Sequence, residues 1–260
     1  MQGLPAFRCA CLLLLAPCSS QAQFIVPSQG TDGWSRDVTE LSLYAEWDFF
    51  QSPGGPNAPQ AQTVVGNLPG DAPAFDAFDS NAESSGSQII SSGNIYTFGG
   101  INMPLTIAPG FGLGYGFRTV VLYQVQTLGF EPDVDTFTLN GRFLPNEVVE
   151  LERKDAVSVF GGADVTNLVR FELPRNDLSH EVFFEAESTS MSFDRVTIDT
   201  FTEEMICPVD VSLDGKSDFF DLIRLLEDID SDDGDWNADN ATDASDVSNF
   251  LAALDQGCQS

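Results

Sequence analysis

Two acidic stretches of twelve residues, one starting at Asp210 and the other at Asp235, repeat each other at an interval of 25 positions. In the first, positions 1, 3, 5, 7, 9 and 12 are Asp210, Ser212, Asp214, Lys216, Asp218 and Asp221; in the second they are Asp235, Asn237, Asp239, Ala241, Asp243 and Asp246. Each of these positions offers an oxygen, from a side chain or, at Lys216 and Ala241, from the main-chain carbonyl. A hard cation such as Ca2+ takes about six to eight oxygen ligands, and a loop of this spacing is one way to supply them. Position 6 must turn sharply through a left-handed conformation. It is Gly215 in the first copy and Asn240 in the second, the two residue types that tolerate that conformation best.

A run of helical periodicity follows each loop. Leu222, Leu225, Leu226 and Ile229 fall at i, i+3, i+4 and i+7, and so do Val247, Phe250, Leu251 and Leu254. The two sets coincide when the copies are superposed, which predicts two amphipathic helices, each with a four-residue apolar stripe. An EF-hand also needs a helix entering its loop. Pro208 stands before the first loop and Ser231-Asp-Asp-Gly234 before the second, so neither copy has one.

Cys207 and Cys258 bracket this pair of repeats. In an oxidising compartment such a pair reads as a disulfide staple, worth about 4 kcal/mol in the chain-entropy picture. Tandem loop-then-helix repeats flanked by cysteines, with the Gly257-Cys258 ending, resemble the GC-type dockerin modules of secreted bacterial proteins. The pattern departs from the usual one at Ser212, Ser217 and Asn240. The resemblance implies a small all-α module folded around Ca2+, which docks onto a cohesin-like or other surface-anchored protein partner. It also implies partner contacts at loop positions 10 and 11, here Phe219 and Phe220 in the first repeat and Ala244 and Ser245 in the second. The phenylalanine pair has two readings: an exposed, adhesive patch, or a pair of which at least one member fills the module's core.

The other end of the chain reads as an export signal over residues 1–22, with Arg8, an apolar stretch containing Leu12 to Leu15, and Ser20-Gln21-Ala22 as the cleavage pattern. Its apolar stretch is too short to cross a bilayer, no second one follows, and the expected product is secreted or held at the cell surface. A formal net charge of −29 argues against nucleic acid and anionic membranes as partners, because phosphates would be repelled.

Residues 23–204 read as a β-domain. Leu41, Leu43, Ala45, Trp47 and Phe49 alternate with polar neighbours, and Phe111, Leu113, Tyr115 and Phe117 alternate with glycines. Further strands are expected over 119–128, 136–139, 147–151, 167–173, 181–187 and 191–201, with a tight turn at Asn140-Gly141. Many short strands and no helix predict an antiparallel β-sandwich of jelly-roll type, while the Pro-, Gly- and Ser-rich stretch 51–88 predicts long loops. Residues 191–201 look like the closing strand of jelly-roll sandwiches, including carbohydrate-binding modules. That likeness admits a second reading, a carbohydrate-binding accessory protein in which Trp34, Trp47 or Tyr115 would stack on a polysaccharide.

The single histidine, His180, excludes a histidine-based zinc site and disfavours a catalytic triad. A glycoside hydrolase using the paired acids Glu150 and Glu152, or Glu185 and Glu187, is a third reading. The leading expectation is a non-enzymatic secreted protein: a β-sandwich displayed on a partner by a C-terminal module at 205–260.

Overall fold

A computed structural model of the chain describes residue 36 and residues 39–52, 56–67, 75–77, 87–98, 105–155, 162–188, 190–231 and 234–258. The expected signal segment and Trp34 lie outside the described residues, as do parts of 51–88. The fold is mainly β. An eight-stranded antiparallel sheet runs β2 (Ala61–Val65), β1 (Ser42–Trp47), β12 (Ser190–Glu204), β7 (Gly114–Gly129), β10 (Ala163–Asn176) and β9 (Glu147–Asp155). In that sheet β5 (Ile95–Phe98) extends along β12, and β4 (Gln88–Ile89) pairs with β5. A second sheet has the order β3 (Phe75–Ala77), β6 (Leu105–Pro109), β11 (Ser179–Ala186) and β8 (Pro132–Leu139). Two helices follow, α1 (Phe219–Asp230) and α2 (Ala244–Gln256).

The two sheets close on one core because their facing strands alternate. Leu43, Ala45 and Trp47 of β1, Val121, Tyr123 and Val125 of β7, and Val169, Phe171 and Leu173 of β10 point inward from the large sheet. Phe137 and Leu139 of β8 and Val182 and Phe184 of β11 meet them from the small one. Phe184 stacks on Phe137 with ring centroids 4.6 Å apart and also packs against Tyr123 and Phe193. The opposite face of the large sheet is also partly apolar, with Val120, Leu122 and Phe201 forming a second, smaller cluster with Leu168. On the same outer face Arg36 holds the buried Asp199 through two hydrogen bonds of 2.5 and 2.6 Å.

Most expected strands are present but longer. The alternating segments at 111–117 and 119–128 join into one strand of sixteen residues, which begins only at Gly114. The stretch 51–88 is not simply loop. It contains β2, which adds to the edge of β1, and β3, which pairs with β6. The expectation failed there because an edge strand with half-exposed side chains shows little alternation. Asn140 and Gly141 form the expected turn, both with left-handed backbone (φ 53° and 71°). Among the described residues no helix is long and apolar enough to cross a membrane.

Two predictions follow from this core. Phe184→Ala removes a fully buried ring with three aromatic neighbours and should cost about 3–5 kcal/mol in urea unfolding. His180 on β11 is fully buried, and burial lowers its pKa to about 4, against a smaller opposing effect from the Asp177 carboxylate. Its neutral form therefore stabilises the fold above the ordinary histidine value, and that stability is lost as pH falls from about 6.5 towards 4. A His180→Leu variant should lack this part of the acid sensitivity, seen as a flatter unfolding free energy between those pH values.

Candidate cation loops and the docking face

The two acidic loops share a common set of internal hydrogen bonds. The position 1 carboxylate accepts from the N–H of positions 5 and 6: Asp210 from Asp214 and Gly215 (3.1 and 2.9 Å), Asp235 from Asp239 and Asn240 (3.1 and 2.8 Å). The position 12 carboxylate accepts from positions 3 and 9: Asp221 from Ser212 and Asp218 (3.0 and 2.8 Å), Asp246 from Asn237 and Asp243 (3.1 and 2.9 Å). Position 5 accepts from the N–H of position 7 in both loops, at 2.9 Å to Lys216 and 2.9 Å to Ala241. Gly215 and Asn240 are left-handed at φ 80° and 66°, as the spacing requires. Position 4 is left-handed too, at Leu213 and Ala238 (φ 59° and 57°), which their residue types gave no reason to expect.

Asp218 and Asp243 then start the helices. Each caps its helix, and with Asp221 or Asp246 three residues on it completes a capping box, so position 9 and position 12 are the two halves of one cap. Asp221 and Asp246 are fully buried, Asp210 nearly so; Asp214, Asp239 and Asp243 are exposed. The Lys216 ammonium and backbone N–H hold the Asp214 carboxyl below its ordinary range. Hydrogen bonds from Ser245 do the same for Asp243. The loop carboxylates are turned onto the loops' own N–H groups, and among the described residues no three acidic, imidazole or thiol groups converge tightly enough to hold a metal ion. What fits a calcium-type cation is the donor chemistry and the backbone path: oxygen ligands only, with carbonyls at Lys216 and Ala241 and a buried carboxylate at position 12.

Cys207 and Cys258 form a disulfide with Cα atoms 4.9 Å apart, closing the segment onto itself. Its core is small: Val209, Val211, Leu225 and Phe250, with Leu222, Ile229 and Leu254 packed around them. The expected four-residue stripes are only partly buried. Leu226 and Leu251, at equivalent places in the two repeats, are each 43% exposed. Two short helices crossing each other do not offer enough surface to cover the i+4 position as well. Phe219 and Phe220 are likewise outside the core, 65% and 66% exposed, and Ile223 continues the same surface. Ala244 is exposed and Ser245 half-buried, its hydroxyl accepting from the Asn237 side chain (3.0 Å).

Helix α1 thus has three faces. Leu222, Leu225 and Ile229 turn to the module's core, and Phe219, Ile223 and Leu226 turn to solvent. Asp221, Arg224 and Asp228 form the third, and at about 100° per residue Asp228 lies opposite Phe219. The Arg224 and Asp228 end of that face meets the β-sandwich, while the Asp221 carboxylate stays on its own loop. The Asp228 carboxylate, fully buried, accepts from the Tyr115 hydroxyl on β7 and from the Arg142 guanidinium (2.9 Å) after β8, with Arg224 of its own helix 3.8 Å away. Burial first, and then the Asp228 carboxylate, push the Tyr115 phenol upward. Arg142 and Arg224 both stack on the ring of Phe143, a member of the sandwich core. Tyr115 also contacts Trp236, at 5.2 Å between ring centroids, and Trp236 packs edge-on against Phe250 at 4.8 Å.

Sequence reasoning missed Tyr115, Arg142, Asp228 and Trp236 as a group. One signal was available: loop position 2 is apolar in both repeats, Val211 and Trp236, and so belongs to a core. Of the rings considered for stacking on sugar, Trp47 is fully buried and Tyr115 is committed to this junction. Glu150 and Glu152 lie in ion pairs with Arg153 and Lys154, and Glu185 and Glu187 face solvent. No protein-family model, curated protein or solved structure matches this chain.

The caps give a direct test. Asp218→Ala should cost about 1 kcal/mol in urea unfolding with no added cation, whereas Asp218→Asn should cost much less, since asparagine also caps.

Proposed function

We propose that this protein is a secreted, non-enzymatic display protein. Its C-terminal dockerin-like module binds Ca2+ and docks a β-sandwich of jelly-roll type onto a cohesin-like or other surface-anchored protein. The observation that carries the reading is the apolar surface of Phe219, Phe220, Ile223 and Leu226 on the outer side of α1, beside two loops of matching donor pattern. Exposed phenylalanines on a chain of −29 formal charge are costly to leave in water, and a protein partner would cover them. The same surface in the second repeat is Ala244, Ser245, Ser248 and Leu251, so docking runs through the first repeat. Calcium acts structurally in this reading, drawing together carboxylates that otherwise repel, and metal binding and docking competence rise together.

The test uses the mature protein, immobilised and offered the envelope proteins of the source cells. A partner should be retained in calcium, released by excess chelator, and not retained by the Phe219→Ser, Phe220→Ser double variant. Retention that ignores both the chelator and the double variant would sink the docking reading.

A further inference from the structure

The two loops share most of their hydrogen bonds, yet they lean on different things. At loop position 2 the first has Val211, which is buried in the module itself. The second has Trp236, whose ring lies between Phe250 of α2 and Tyr115 of the sandwich. The main-chain N–H of Trp236 is donated to Asp246 at 2.7 Å, so the position 12 carboxylate of the second loop is oriented by the backbone of a residue whose ring is held against another part of the chain. From Tyr115 the contact runs on through its hydroxyl to Asp228 and from there to Arg142. Both loops border the sandwich across a cleft: Asp210, Leu213 and Gly215 with Arg118 and Glu172 wall about 470 Å³, and Asp235, Ala238 and Asn240 with Gly112, Tyr115 and Asn176 wall about 240 Å³. The aromatic contact, Trp236 on Tyr115, is found at the second loop.

We infer that the β-sandwich is a built-in partner of the module, and that its junction at Tyr115, Asp228 and Arg142 strengthens cation binding at the second loop and not at the first. This rests on the cation-binding reading of the loops. The second loop has the less favourable residue at its left-handed position 6, Asn240 in place of glycine, and so has more to gain from being held in shape. A carboxylate already oriented before the ion arrives loses less freedom on binding it. Coupling of this kind is reciprocal: whatever the sandwich contact adds to cation affinity, the cation returns to the contact. The route is a set of touching groups, from Asp246 to Trp236, Tyr115 and Asp228.

The experiment is a calcium titration of the chelator-stripped mature protein, followed by calorimetry and tryptophan fluorescence. Asp210→Asn and Asp235→Asn variants assign the binding steps to the first and second loop. Tyr115→Phe then removes one hydroxyl while keeping the ring on Trp236, and Asp228→Asn removes the buried charge with little change of shape. The second-loop step should weaken roughly 5- to 100-fold in either variant, with the first-loop step unchanged within about twofold. Unchanged affinities at both loops, or equal weakening of both, would overturn the coupling while leaving cation binding in place. A parent protein with no calcium-binding step would overturn the coupling and the cation reading together. If Asp228→Asn fails to fold, Tyr115→Phe alone decides between these outcomes.

Discussion

A carboxylate sealed from water between a tyrosine hydroxyl and an arginine decides how this molecule is put together. Asp228 brings a full charge into the space between α1 and the sandwich, and Arg142 and Tyr115 compensate it there. Such a buried pair is weak evidence for net stability, since desolvation offsets most of the attraction. It is strong evidence for geometry. Moving the module off the sandwich would strand either the carboxylate or the guanidinium, so few arrangements of the two parts are tolerable. Phe143 reinforces this, because it belongs to the sandwich core while two guanidinium groups from either side of the junction stack on it.

This arrangement depends on a duplicated unit whose loops have in common only the aspartates at positions 1, 5, 9 and 12. Loops and caps keep the shared pattern, down to the left-handed residue at position 4. The differences that bear on the junction lie on the helix surfaces and at loop position 2. Asp228 corresponds to Ala253, which packs on the module's own core, and Phe219 corresponds to Ala244. The first helix therefore has polar contacts with the sandwich on one side and a bare apolar surface on the other. The second loop takes an aromatic residue that reaches across to Tyr115.

Much of this was legible in the sequence, and the parts that were not share a physical cause. The loops were readable because their donors follow a fixed spacing within one short segment. The inward strands were readable because a sheet face repeats every second residue, as Leu43, Ala45 and Trp47 do. The exposure of Leu226 and Leu251 was not legible, because periodicity tells which side of a helix is apolar but not how much of that side a neighbour covers. Whether Phe219 and Phe220 pack inward or face solvent was open for the same reason. Asp228, Arg142 and Tyr115 lie up to 113 positions apart, and each alone looks like an ordinary surface residue or, for Tyr115, an ordinary strand aromatic. Their meeting depends on how sheet and module are placed, which no local pattern encodes.

The disulfide between Cys207 and Cys258 has a topological result. The first cysteine follows β12 by three residues, and the second follows the last turn of α2. Tension entering from the C-terminal end passes through the sulfur bridge to the end of β12, and both loops and both helices lie outside its path. A single protease cut anywhere between the two cysteines leaves the two pieces attached to each other. Removing the module therefore takes one cut ahead of Cys207, two cuts inside the bridge, or one cut inside it together with a reductant.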